Sequence, residues 1–208
     1  MTLASDLLTF TLAASLLTIT PGLDTALVLR TLAANGPAQA FKAACGVALG
    51  CLAWGLIVAA GLGALLAASR LAYDALRWVG AVYLFYLGAK LILSPRRQGL
   101  AASMANQPAA SRAWARGFLT NILNPKVGIF YVSFLPQFIP AHMNVSAMIV
   151  ALASIHVLLG IAWFGLLIAG ARAMLPVLQK PRVVAAMDRL TGCVFIAFGL
   201  KLALGDRA

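Results

Sequence analysis

Apolar runs of twenty or more residues recur along this sequence, separated by short polar connections or by clusters that carry Pro and Gly. An α-helix rises about 1.5 Å per residue and needs about 20 residues to cross roughly 30 Å of hydrocarbon. Runs of this length therefore predict helices that span a bilayer, near residues 5–29, 41–68, 71–93, 117–138, 146–171 and 186–204. Composition points the same way: 62% of the 208 residues are hydrophobic and only 10% are charged, whereas a soluble domain is nearer half and a quarter. A soluble fold of this length could not hide so much apolar surface. The expected fold is an all-α, multi-pass membrane protein of about six transmembrane helices, with the lipid bilayer as its solvent.

The formal charge of +11 raises the question of nucleic acid, but no basic stretch is interleaved with aromatics on a polar scaffold. The basic residues instead flank the apolar runs, where they orient helices and meet anionic head groups. Arg30, Lys42, Arg96, Arg97, Arg112, Arg116, Arg172, Lys180, Arg182 and Arg189 fall in the first, third and fifth connections, against Arg70, Arg77, Lys201 and Arg207 on the opposite side. The positive-inside rule then puts both termini outside the cytoplasm and the long polar stretch 94–116 inside, as a linker. The first 29 residues hold no Lys or Arg and carry Asp6, unlike the basic start of a signal peptide, so the first run is expected to be a retained span. Cys45, Cys51 and Cys193 lie in apolar runs without Cys-x-x-Cys spacing and read as small hydrophobes, so no metal or other cofactor is expected.

The linker divides the chain into two halves that echo each other. WVGAVYLFYLGAKLIL (78–93) and LTGCVFIAFGLKLAL (190–204) align with one gap, matching Gly80 with Gly192, Gly88 with Gly199 and Lys90 with Lys201. The first and fourth runs each contain a proline, Pro21 and Pro125. Three spans per half is an odd number, so the halves would lie in opposite orientations. The expectation is one transmembrane domain, 1–208, made of two inverted three-helix repeats at about 5–93 and 117–204, an architecture of many secondary transporters.

The prolines mark the candidate site. In Thr20, Pro21, Gly22, Leu23, Asp24, proline removes a donor and clashes with the carbonyl four residues back, so the helix should kink or unwind and free carbonyls for a ligand. Asp24 is the one acid well inside an expected span, where an ionisable group costs at least ~2.5 kcal/mol unless it is paired or faces water. Asn121, Asn124, Pro125 and Lys126 repeat the pattern in the fourth run. Pro21 lies nine residues before Arg30 and Pro125 nine after Arg116, roughly 13–14 Å from the cytoplasmic surface at about 1.5 Å per residue. Both breaks thus fall near the midplane, where repeat-built transporters place their substrate sites. Asp24 and Lys126 either neutralise each other or take the ammonium and carboxylate of a zwitterionic solute. His156, mid-span, is either a packing residue or part of a proton relay. Tyr83, Tyr86 and Tyr131 either line a path or pack. Gly46 and Gly50, and Gly160, Gly165 and Gly170, are read as sites of close helix approach, and Trp78 and Trp114 as interfacial anchors.

With the Thr20–Asp24 segment, the run from Gly80 to Gly88, GFLTNILNPK and the FLPQF of 134–138, the sequence resembles the LysE/RhtB family of amino-acid exporters from its first span to its last. The resemblance implies a bacterial inner-membrane secondary transporter that expels amino acids such as lysine, arginine, homoserine, threonine or leucine, driven by the proton gradient. The sequence leaves open both a monomer and a homodimer. The family's usual Thr-Pro-Gly-Pro-Asp has Leu23 in place of its second proline, which implies a milder break. By the same likeness Pro21, Gly22, Asp24, Asn124, Pro125 and Lys126 are the core. The rival readings are weaker. A metal exporter needs several converging acids, histidines or thiolates, and a thiol-disulfide membrane enzyme needs paired cysteines at the breaks.

Overall fold

The computed structural model describes residues 3–68, 70–95, 112–140 and 143–204, and every regular element among them is helical. The linker expected at 94–116 falls largely outside the described residues, although its last residues belong to a helix. In chain order the helices are α1 (Leu3–Ile19), α2 (Leu23–Ala68), α3 (Arg70–Leu93), α4 (Ala113–Ile122), α5 (Pro125–Ile129), α6 (Val145–Ala169), α7 (Ala171–Leu178) and α8 (Pro181–Leu204). Three stretches, Leu23–Gly61, Val145–Ala169 and Pro181–Leu204, are long and apolar enough to cross a membrane, and Leu3–Ile19 and Trp78–Leu93 are shorter apolar helices. Large apolar side chains such as Leu8, Leu12, Leu56, Val79, Val82, Leu158 and Leu166 point outward. Helices apolar all round fit lipid, not water.

The first expected run is not one helix. It is α1 followed by the start of α2, with residues 20–22 non-helical between them. A second corner divides α2 at Gly36, whose φ of 79° and ψ of 177° lie in a region that essentially only glycine occupies. Pro37 demands an extended residue before it, so the connection expected between the first two spans is a one-residue corner with no loop. The fourth expected run is broken more thoroughly. It comprises α4, then α5, a π-helical turn at Phe130–Phe134 and a 3₁₀ turn at Leu135–Phe138. Pro136 has no N–H for the Val132 carbonyl and its ring would crowd it, which accounts for the widened and then tightened turns. Gln137 Nε2 donates to the Ser133 carbonyl at 3.0 Å. The fifth connection also differs from expectation, since it contains α7, and α8 starts at Pro181, a good first helical residue.

Two apolar layers hold the helices together. The larger contains Phe10 of α1, Val58 of α2, Leu84 of α3, Met148 and Leu152 of α6, Phe195 of α8, and the aromatic run Phe130, Tyr131, Phe134 and Phe138. Ring centroids there lie 4.4–6.2 Å apart, the range in which aromatic pairs gain beyond their burial. The smaller joins Val28, Leu29, Ala40, Ala43 and Val47 of α2 to Ala113, Phe164, Leu167 and Leu178. Glycine sets the closest approaches. A Cβ on Gly46 would strike the Trp114 carbonyl, and one on Gly117 the Ala43 carbonyl, so α2 and α4 cross backbone to backbone. On the other side of the molecule, Gly88 of α3 and Gly192 of α8 each face the other's carbonyl, where an added Cβ would sit at 2.7 Å. The expectation of close packing fails for Gly160 and Gly165, which have nothing within 4 Å of an added Cβ.

Candidate functional site

Between the two layers lies a partly open cavity of about 70 Å³. Thr20, Gly22, Asp24, Asn121, Asn124, Lys126 and His156 all line it. Pro21 and Pro125 do not reach the cavity, and they act by shaping the two breaks beside it.

Local chemistry explains the geometry of each break. At the first, the Thr20 N–H still bonds to the Leu16 carbonyl at 3.1 Å and the chain resumes with Ala26 N–H to Gly22 at 2.9 Å. The Thr20 hydroxyl doubles the bond to the Leu16 carbonyl at 2.7 Å and meets the Thr191 hydroxyl of α8 at 2.6 Å, which ties the break to the far end of the chain. Asp24 then sits in the first turn of α2, where the helix dipole favours an acid. At the second break, Asn124 is the residue before Pro125 and is extended (φ −81°, ψ 108°); its Oδ1 accepts the Lys126 N–H at 3.1 Å and caps α5. Asparagine before proline thus supplies both the extended backbone and the cap that a restarting helix requires. Asn124→Ala is expected to destabilise the protein by about 1 kcal/mol, read as a lower midpoint in thermal unfolding of the detergent-purified chain.

The two breaks meet at one contact. Asn121 Nδ2 donates to Asp24 Oδ2 at 2.9 Å, and Asn121 is completely buried. Gly50 makes this possible, because a Cβ there would lie 2.7 Å from Asn121 Oδ1. Among the described residues Asp24 Oδ1 is enclosed yet accepts no hydrogen bond, so the carboxyl keeps acceptor capacity. Lys126 is within electrostatic range of both Asp24 and His156. His156 is held by the Tyr131 hydroxyl, 3.0 Å from its Nδ1, and Tyr131 belongs to the aromatic layer. One acid, one base and several amides and hydroxyls thus surround a space whose other walls include Leu17, Val47, Ala48, Val157 and Phe164.

Some of the lining was not anticipated. Thr18, Thr25, Cys51 and Gly160 line the cavity, and Thr191 anchors its edge. A threonine in an apolar helix bonds its own helix's carbonyls in any case, as Thr18 does to Ala14 at 2.7 Å, so its identity alone carries no signal. Asp188, expected near a span end, is completely buried within α8 but does not line the cavity. The described residues hold no cluster of three or more metal-binding side chains.

A cavity among apolar helices that gathers an acid, a base, amides and hydroxyls and is bounded by two helix breaks has the build of a membrane carrier, in which discontinuous helices frame the solute site. The chain belongs to the LysE type translocator family, whose match extends over residues 15–206. The uncharacterized membrane protein YrhP of Bacillus subtilis (strain 168) is 31% identical over 207 residues, 96% of this chain and 99% of its own length. A protein named leucine efflux protein from Klebsiella pneumoniae subsp. pneumoniae is 30% identical over 199 residues, 94% of this chain and 93% of its own length. Its namesake from Salmonella choleraesuis is 29% identical over the same length. No solved structure matches the chain at a significant level.

Proposed function

We propose that this protein is a secondary transporter of the bacterial inner membrane that exports amino acids, with Asp24 receiving the α-ammonium and Lys126 the α-carboxylate. The observation that carries the reading is the meeting of the two helix breaks in one cavity that holds an acid and a base. Family membership and the leucine efflux relatives supply the direction of transport and the solute class.

The reading includes six spans in two inverted repeats, 5–93 and 117–204, joined by a cytoplasmic linker with both termini outside. Its support is the α3 and α8 contact. Gly88 faces Gly192 and Gly199 faces Ala81, so the two helices that echo each other in sequence pack in opposite directions, as the inverted-repeat reading expects. His156, joined to Tyr131 at the boundary between cavity and aromatic layer, is the proposed proton-handling group that links export to the proton gradient.

The test is expression in an exporter-deficient bacterium challenged with toxic amino acids, analogues and dipeptides, with efflux followed with and without a proton uncoupler. Uncoupler-sensitive efflux of at least one amino acid is expected. If no amino acid moves and another solute leaves the cell regardless of the uncoupler, the reading falls.

A further inference from the structure

The charge inventory of the cavity narrows what it can accept, and the inference rests on the export reading above. The whole chain has five acids, Asp6, Asp24, Asp74, Asp188 and Asp206, and of these Asp24 alone is in the cavity lining among the described residues. A zwitterion with a neutral side chain brings one positive and one negative group, which Asp24 and Lys126 match one for one. A dibasic amino acid brings a second cation. What is left to receive it is a set of hydroxyls, amides and an imidazole, from Thr18, Thr25, Asn124 and His156, among apolar walls such as Val47 and Phe164, with no second acid, and a cation taken out of water without an anion is disfavoured.

The apolar wall also has an open place in it. Gly160 lies one helical turn from His156 and one from Phe164, so all three share a face of α6, and all three line the cavity. A Cβ built on Gly160 meets nothing within 4 Å, so a side chain there would project into free space. That space is available to the side chain of a bound solute.

We infer that the cavity takes zwitterionic amino acids with neutral, aliphatic side chains and turns away those with cationic ones, and that Gly160 sets the largest side chain that fits.

The full chain, reconstituted in proteoliposomes, tests this by counterflow of radiolabelled leucine against unlabelled leucine, valine, alanine, lysine or arginine. Leucine and valine are expected to compete at least about tenfold better than lysine or arginine. Gly160→Leu is expected to weaken leucine competition about tenfold while alanine competition changes less than about threefold, and Gly160→Ala to fall between. Should Gly160→Leu fail to insert, Gly160→Ala alone decides the size limit, and the wild-type panel decides the charge class. Lysine or arginine competing as well as leucine overturns the neutral class and leaves amino-acid export standing. Unchanged preference in the inserted Gly160 variants overturns the size limit. Exchange of no amino acid, despite efflux of another solute from cells, overturns the export reading and this inference with it.

Discussion

Asp24→Asn is expected to reduce amino-acid export roughly 30- to 150-fold while leaving the amount of inserted protein close to normal. The substitution keeps the size of the side chain and an oxygen for the Asn121 amide, which bonds to the carboxyl at 2.9 Å. What it removes is the charge. A hydrogen bond to a charged partner contributes about 1.5–3 kcal/mol, and about 2–3 kcal/mol corresponds to the stated loss. Removal of the anion also leaves Lys126 without the one acid that lines its cavity, which disfavours the empty site as well as the loaded one.

The same experiment separates the two roles open to the pair. If Asp24 and Lys126 only neutralise each other, the double variant Asp24→Asn with Lys126→Met restores charge balance and export should recover. If they hold the two ends of a zwitterion, the double variant is as inactive as the worse single one. Recovery in the double variant would sink the substrate role and leave a structural ion pair. Efflux per unit of inserted protein, measured for all three variants, is the readout.

Asp24 and Lys126 were legible in the sequence because membrane depth makes a charge conspicuous, and the prolines because the loss of an N–H has a local consequence. The break in the fourth run was readable at Pro125 for that reason. The π-helical turn at Phe130–Phe134 was not, because it depends on where the chain relieves the crowding from Pro136, and periodicity in an apolar helix does not record that. Helix faces were equally hidden. When lipid and core are both apolar, no polar stripe distinguishes inside from outside, so nothing in the sequence separates Gly46, pressed on a carbonyl, from Gly160, facing open space. Thr20 and Thr191 illustrate the remaining gap. Their hydroxyls touch across 171 positions of chain, and only the fold brings them together.

The second large effect is on stability and concerns the crossing of α2 and α4, the helices that carry Gly50 and Asn121. Gly46→Ala and Gly117→Ala are each expected to lower stability by at least about 1–3 kcal/mol, the usual range for overpacking. Here the added methyl meets a main-chain carbonyl, of Trp114 or of Ala43, which cannot rotate away as a side-chain tip can. Gly61→Ala is the control on the same helix, because nothing lies within 4 Å of its added Cβ and alanine gains up to about 1 kcal/mol of helix propensity. Thermal unfolding of the detergent-purified variants should therefore move down for the first two and stay level or rise for the third. Both crossing glycines are relieved by one and the same separation of α2 from α4, so the double variant should lose less than the sum of the single losses. Strict additivity would mean that each methyl is absorbed by its own local shift, and the two helices would then not be locked to each other at this crossing. Because Asn121 rides on α4 and reaches Asp24 past Gly50, the same separation should also pull the amide from the carboxyl, and export by the surviving Gly117→Ala protein is expected to fall with its stability.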